Sequence, residues 1–106
     1  MDDARRSEAA LDAIGDPTRR AILRALSASP QTVGGLAESL PVSRPAVSQH
    51  LKVLRNAGLV TVEKRGTRAV HAIDPLGIGG VREWLDTLWD DALEAFEAAA
   101  KKERER

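Results

Sequence analysis

The stretch VSRPAVSQHLKVLRNAG, residues 42–58, decides how the rest of the chain is interpreted. Ser43 is a good helix N-cap and Gly58 a good left-handed stop, so the stretch predicts a helix that ends near residue 57. At 100° per residue, three apolar side chains fall within about 60° of one another and face inward. These inward residues are Val47, Leu51 and Leu54.

The opposite side of this helix carries uncharged polar groups and cations but no carboxylate. An ordinary solvated helix face mixes both signs of charge. Amide, hydroxyl, ammonium and guanidinium groups are the ones that contact base edges and phosphates of DNA. The composition therefore favours DNA contact over the alternative, a solvated face that lacks acids by chance. The face consists of Pro45, Gln49, Lys52 and Asn56, flanked by Ser48 and Arg55.

A shorter helix is predicted just before it, over residues 32–40, with a threonine as its cap. Gly34 and Gly35 each weaken this helix by up to about 1 kcal/mol relative to alanine, and Gly35 removes the side chain that would complete a capping box. Pro41 forces a turn, and Ala37 is small enough to let two helices cross closely. Two helices joined in this way are typical of a helix-turn-helix.

The remaining segments predict two helices before this pair and a hairpin with a last helix after it. The first helix covers residues 4–14, and the second opens at Asp16-Pro17 and ends near residue 27. Strands are expected at 59–65 and 68–73, with their register left open because the return strand is apolar on both faces. The last helical region is expected to be interrupted near Gly77–Gly80 and continuous over 81–100, and the charged tail 101–106 to fray.

The predicted fold is thus mainly α with a small β-hairpin, in the order α-α-α-α-β-β-α, which is the winged helix-turn-helix arrangement. The hairpin tip, KRGTR at residues 64–68, carries three cations around a turn. Arginines on such a wing can reach a minor groove or the flanking phosphates. The alternative is a charged edge that merely prevents sheet aggregation.

Charge is segregated along a chain whose net charge is zero. Residues 1–16 carry a net charge of −3, residues 17–72 a net of +7, and residues 73–106 a net of −4. Because a phosphate-binding surface needs local positive potential, this distribution points to the middle of the chain.

The composition is typical of one folded domain and argues against an enzyme, a metal-binding protein or a membrane protein. The 106 residues support one domain, and 42% hydrophobic with 30% charged residues is typical of a folded chain. There is no cysteine or tyrosine and only two histidines, so we expect no catalytic site, no cofactor and no metal site. The acidic start and the absence of a long apolar run predict a cytoplasmic protein with neither signal peptide nor membrane span.

The two ends of the chain carry apolar stripes that suggest a dimer. The stripe of the last helix is wider than a domain of this size can cover, and all three aromatic residues lie on it. The alternative is that the stripe packs entirely on its own domain. The candidate interface consists of Leu11, Ile14, Val81, Trp84, Leu85, Leu88, Trp89, Leu93 and Phe96.

Two stretches, GDPTRRAIL at 15–23 and VSRPAVSQHLKVL at 42–54, resemble the ArsR-type (arsenical-resistance-repressor) winged-helix family, over roughly residues 8–98. The resemblance implies a homodimeric repressor whose fourth helix enters the major groove of an operator. His50 belongs to the matched motif, and its position leaves a packing role and a DNA contact both open. The positions that match the family's recognition helix are Ser43, Arg44, Pro45, Ser48, Gln49 and Lys52, and those that match its wing are Arg65 and Arg68.

The chain departs from those relatives that sense metals. Many of them use a cysteine pair on the third helix, where this chain has TVGGL at 32–36, and others use histidine with carboxylates on the last helix, which here has no histidine. Zinc sites usually need nitrogen or sulfur donors. The resemblance is therefore to a branch that does not sense metals, and the sequence identifies no effector.

These observations give one predicted domain, 1–106, with terminal dimerisation helices 1–14 and 81–100, a DNA-binding core at 17–73 and a frayed tail at 101–106. The expected partners are a double-stranded DNA operator and a second copy of the chain. The alternative is a winged-helix protein-interaction module that does not bind specific DNA.

Overall fold

Five helices and one hairpin make up residues 2–105, the part of the chain described by the computed structural model, with side chains described for residues 7–105. Met1 and Arg106, which belong to the predicted segments 1–14 and 101–106, lie outside the described residues. The order confirms the predicted winged helix-turn-helix. The elements are α1 Asp2–Ile14, α2 Pro17–Ala28, α3 Val33–Ser39, α4 Arg44–Asn56, β1 Val60–Arg65, β2 Arg68–Ile73 and α5 Pro75–Arg104.

The starts of α2, α3 and α4 are fixed by the predicted capping side chains. In each helix an oxygen of the cap accepts the backbone N–H three residues further on, at 2.9–3.3 Å. The threonine cap is formed although the capping box is incomplete, so α3 begins where the sequence predicts. At the other end of α4, Gly58 has φ 79°, which glycine adopts without strain. The caps are Asp16, Thr32 and Ser43.

The core lies where α2, α3 and α4 meet the start of the hairpin. The inward stripe predicted for α4 is fully buried there. Burial of each such side chain contributes about 1.5–3 kcal/mol, which anchors α4 by one side and leaves its other side free. The largest fully buried residues are Ile22, Leu36, Val47, Leu51, Leu54 and Leu59.

The hairpin is antiparallel, with Val60 opposite Ile73 and Arg65 opposite Arg68. On its other side β2 pairs with Gln31, because this residue and His71 exchange backbone hydrogen bonds of 2.9 and 2.8 Å. All five residues of β2 after Arg68 are also at least partly buried, and they lie on both faces of the strand. This explains why alternation in the sequence did not determine its register.

The last helix runs without a break through the glycines, so the predicted interruption near Gly77–Gly80 is wrong. A Cβ on Gly77 would overlap the carbonyl oxygen of Gly58. Glycine at this position therefore permits a close approach between α5 and the turn after α4, rather than ending a helix.

The helix also continues to Arg104, where the sequence predicts a frayed tail over 101–106. Three consecutive alanines at 98–100 are strong helix formers. Glu97 and Lys101 have the favourable i,i+4 spacing, and the cations of the last turn complement the helix dipole. The charged side chains of this tail therefore stabilise the last turns of the helix.

The molecule is elongated, with extents of 68 × 30 × 19 Å. A helix of 30 residues is about 45 Å long, and α5 accounts for this length. Helix α1 lies against α5, and its small buried residues Ala10 and Ala13 face the core. No helix between residues 2 and 105 combines the length and apolar character that crossing a membrane requires.

Candidate nucleic-acid interface

The outward side of α4 is a continuous exposed polar surface, which we call the α4 face. Gln49 and Lys52 lie at its centre, and the side chain of Arg44 reaches back to α3. A Cβ on Gly34 would lie 3.4 Å from an Nη atom of Arg44, so the glycine leaves room for this guanidinium. The predicted residues that the structure exposes on this face are Ser43, Arg44, Pro45, Ser48, Gln49 and Lys52.

His50 differs from its neighbours because it is half-buried, with 23% of its side chain exposed. Its Nδ1 lies 3.9 Å from a carboxylate oxygen of Asp16 and 3.5 Å from an Nη atom of Arg19. The structure thus places His50 in a polar cluster at the start of α2, and a contact of His50 with DNA stays a prediction.

The carboxylate of Asp16 is held in its charged form. The backbone N–H of Arg19 donates to it at 2.9 Å, which lowers the pKa of Asp16. Partial burial opposes this shift, and the positive charge of Arg19 adds to it. A charged carboxylate therefore lies at the junction of α2 and α4.

Two cations that the sequence assigns to the basic middle of the chain instead contact the end of α1. Arg19 Nε donates to the carbonyl oxygen of Ala13 at 2.6 Å, and Arg20 Nη1 donates to that of Ile14 at 2.9 Å. The last carbonyls of a helix lack partners within the helix, and arginine side chains satisfy them here. The sequence signal for these contacts is a helix end that is followed within six residues by two arginines.

The wing brings Arg65 and Arg68 directly opposite each other, so their side chains share one face of the hairpin. Both are exposed, and Gly66 forms the turn between them with φ 65°. Arg65 also lies 3.5 Å from a carboxylate oxygen of Glu63, an exposed pair worth about 0–1 kcal/mol. The arginines open onto a cleft of about 420 Å³ that is also lined by Pro30, Gln31, Thr32, Gly35 and Val70.

The root of the wing contains a buried histidine to which sequence reasoning gave no role. His71 is 4% exposed, and its Nδ1 has no hydrogen-bond partner within the described residues. Burial lowers the pKa of His71, and the positive charge of Arg55 lowers it further. The wing therefore rests on a neutral imidazole.

A second surface, the α5 stripe, consists of large apolar side chains that are exposed to solvent. Every residue from Arg82 to Ala99 is exposed, including Trp89 at 65% and Phe96 at 71%. This stripe does not pack on its own domain. Its members are Trp84, Leu85, Leu88, Trp89, Leu93 and Phe96.

Three other residues of the predicted interface belong to the core of the chain itself. Val81 is buried, and Leu11 and Ile14 are half-buried against the core. Helical periodicity places them on the same helix faces as the exposed residues. It does not show which part of α5 packs against the rest of the chain. Among the described residues, no group of three or more histidine, cysteine or carboxylate side chains is arranged to hold a metal ion.

Comparison with known proteins adds independent information. Residues 16–62 match the model of the family described as bacterial regulatory protein, arsR family. The chain is 49% identical over 96 residues to the HTH-type transcriptional regulator Rv2034 of Mycobacterium tuberculosis, covering 91% of this chain and 90% of that protein. It is 32% identical over 73 residues to the transcriptional repressor SdpR of Bacillus subtilis, covering 69% and 81% of the two chains.

The fold has a close match among solved structures. An ArsR-like transcriptional regulator from Rhodococcus sp. RHA1 superposes with a TM-score of 0.80 at 29% identity. The match covers 94% of this chain and 97% of that one. The likeness therefore includes α5 as well as the segment that the family model matches.

Proposed function

This chain belongs to the arsR family of bacterial regulatory proteins, and we propose that it acts as a homodimeric transcriptional repressor that binds an inverted-repeat DNA operator. The observation that carries the proposal is the α4 face, which is exposed, lacks carboxylates and offers amide, hydroxyl and cationic groups together. A protein that binds such an operator works in the cytoplasm, where bacterial DNA lies.

In this proposal α4 enters the major groove of each half-site. Gln49 is the candidate for a bidentate contact to adenine, and Lys52 for a contact to guanine or phosphate. Arg44 lies at the start of α4, where side chains of a recognition helix contact base edges. The wing arginines contact the adjacent minor groove or its phosphates.

The dimer in this proposal forms through the α5 stripe with help from α1. The stripe of each chain exposes six large apolar side chains, and burying each one contributes about 1.5–3 kcal/mol. A two-fold axis through this interface would present two α4 faces to half-sites about 10 base pairs apart. The terminal segments with net negative charge, 1–16 and 73–106, would then lie away from the duplex.

Repression rather than activation is supported by the relative from Bacillus subtilis, which is itself named a repressor. Bound across a promoter, a dimer of this kind excludes other proteins from the same segment of DNA. The core at residues 17–73 supplies the DNA contacts, and the helices at the two ends supply the contacts between subunits.

The experiment that tests the proposal is selection of bound duplexes from a random DNA library by the purified protein, followed by titration of the selected site at several salt concentrations. We expect an inverted repeat bound with a Kd of about 10⁻⁸–10⁻¹¹ M, at least about 10³-fold tighter than random DNA. Affinity should fall steeply with salt, because phosphate contacts release counterions. Equal affinity for selected and random duplexes would contradict the proposal and favour a protein-interaction module.

A further inference from the structure

One guanidinium group connects the end of α1 to the middle of α4. Arg19 Nε donates to the carbonyl oxygen of Ala13 at 2.6 Å, and Nη2 lies 3.5 Å from that of Asp12. The remaining nitrogen, Nη1, lies 3.5 Å from His50 Nδ1. A single planar side chain of α2 therefore touches two other helices at once.

We propose that Arg19 is a positioning residue that fixes α4 relative to the carboxyl end of α1, and thereby sets the distance and angle between the two α4 faces of the dimer. The inference rests on the proposed function, because the setting of α4 matters only if α4 contacts DNA. It goes further by assigning a positioning role to Asp16, Arg19 and His50.

The chemistry of the contact explains why arginine is needed. A guanidinium carries five N–H donors in a rigid plane and has no acceptor. His50 Nδ1 must therefore be the acceptor in this pair, which leaves the ring proton on Nε2. Because the fork is rigid, the carbonyls of α1 and the ring of His50 are held at a fixed separation. A lysine has three donors, but they share one nitrogen at the end of a flexible stem and could not span both contacts.

Asp16 completes the cluster from the start of α2. Its carboxylate accepts the backbone N–H of Arg19 and lies 3.9 Å from His50 Nδ1. The side chains of Asp16 and His50 are only 32% and 23% exposed, so water screens the Asp16 carboxylate less than it would on an open surface. Asp16 therefore holds the backbone of Arg19 in place, and the guanidinium of Arg19 contacts the His50 ring.

The position of the cluster connects the two surfaces of the protein. Helix α1 packs against α5, which carries the exposed apolar stripe. Arg19 donates a hydrogen bond to the carboxyl end of α1. From the proposed dimer surface to the α4 face, the path of contacts runs through α5, α1, Arg19 and His50. A change in how α1 sits in the dimer would therefore reach α4 through this guanidinium.

The test compares Arg19→Leu with Arg20→Leu. Arg20 is a matched control because it also donates to a carbonyl at the end of α1, at 2.9 Å, but is exposed and makes no hydrogen bond to α4. The measured quantity is the ratio of Kd values for the selected operator and for the same operator with one base pair inserted between its half-sites. Sedimentation and thermal melting check that each variant remains a folded dimer.

We expect Arg19→Leu to reduce this spacing discrimination by at least about fivefold, while Arg20→Leu leaves it within about twofold of the unmodified protein. Discrimination between correct and mutated bases within one half-site should persist, because the α4 face is unchanged. His50→Gln should reproduce the loss, and Arg19→Leu combined with His50→Gln should be no worse than either single variant.

Should Arg19→Leu fail to fold, Arg19→Lys and His50→Gln decide the question, since Lys keeps the charge without the fork. Unchanged spacing discrimination in folded dimers of these variants would overturn the inference. That result differs from failure of the proposed function, in which the unmodified protein itself would select no DNA site. Spacing discrimination lost equally with Arg20→Leu would also overturn it, because general weakening of the α1 end would then be the cause.

Discussion

The α4 face and the α5 stripe are both exposed, but they differ in the free energy of their contact with water. The α4 face consists of polar and cationic groups that are well solvated without a partner. The α5 stripe exposes two indoles, a phenyl ring and three leucines, so its exposure to water costs free energy. The comparison teaches that exposure alone does not identify a site. A partner that covered the α5 stripe would bury apolar surface, whereas the α4 face is well solvated on its own.

The largest expected effect comes from placing a charge on the α5 stripe. Trp89→Glu should dissociate the dimer and weaken operator binding by at least about 100-fold, because both half-sites are no longer bound together. The monomer fold should survive, since this indole is 65% exposed in the single chain. Sedimentation equilibrium and gel-shift titration measure the two effects. Thr87→Glu adds the same charge on the polar side of α5, and an equal loss there would break the comparison.

Truncating the centre of the α4 face should act on DNA binding alone. Gln49→Ala is expected to cost about 1–3 kcal/mol of specific binding, or roughly 5–150-fold in Kd, and to relax the base preference at one operator position. Its melting temperature should not change, because the side chain is exposed. Glu38→Gln, on the exposed side of α3, is the control. A dimer that loses stability with Gln49→Ala would show that this face has a structural role.

Lowering the pH should destabilise the fold through His71, which is buried at the root of the wing. The pKa of His71 is lowered in the fold, so its contribution to stability is complete above the ordinary imidazole pKa of about 6.5 and is lost as the pH falls below it. Between pH 6.5 and 5.5 this amounts to at most about 1.4 kcal/mol. Thermal melting of the unmodified protein and of His71→Leu checks it, and the variant should show the flatter pH dependence. Parallel curves would remove His71 as the cause.

The smallest expected effect belongs to a single wing cation. Arg68→Ala should weaken binding of selected and random DNA by a similar, few-fold factor and reduce the salt slope of log Kd by about 1. Arg24→Ala removes the same charge from an exposed position on α2 and should leave the slope unchanged. If Arg68→Ala instead altered base preference, the wing would share in sequence recognition with α4.

Features governed by local rules were predictable from the sequence. The caps Asp16, Thr32 and Ser43 and the stop at Gly58 depend on residues within four positions, and the structure has each helix start or stop where these residues predict. The α4 face was predictable for the same reason, because a helix of known phase presents one side outward once its apolar side is buried.

Features governed by distant contacts were not predictable. The sequence predicts a break in the helix near Gly77, because no neighbouring residue shows that the Gly58 carbonyl lies against it. The charge count assigns Arg19 and Arg20 to the basic segment, although both donate to carbonyl oxygens at the end of α1. The burial of His71 depends on the Gln31 segment pairing with β2, a contact between residues 40 positions apart.

The contact between Gly58 and Gly77 also limits what an engineer could change. Two backbones meet there with no side chain between them, so there is nothing at the contact to enlarge, trim or exchange. A designer who wanted this protein to accept differently spaced half-sites would gain nothing from mutations at that joint. New spacings would have to come from contacts that side chains make, such as the one between Arg19 and His50.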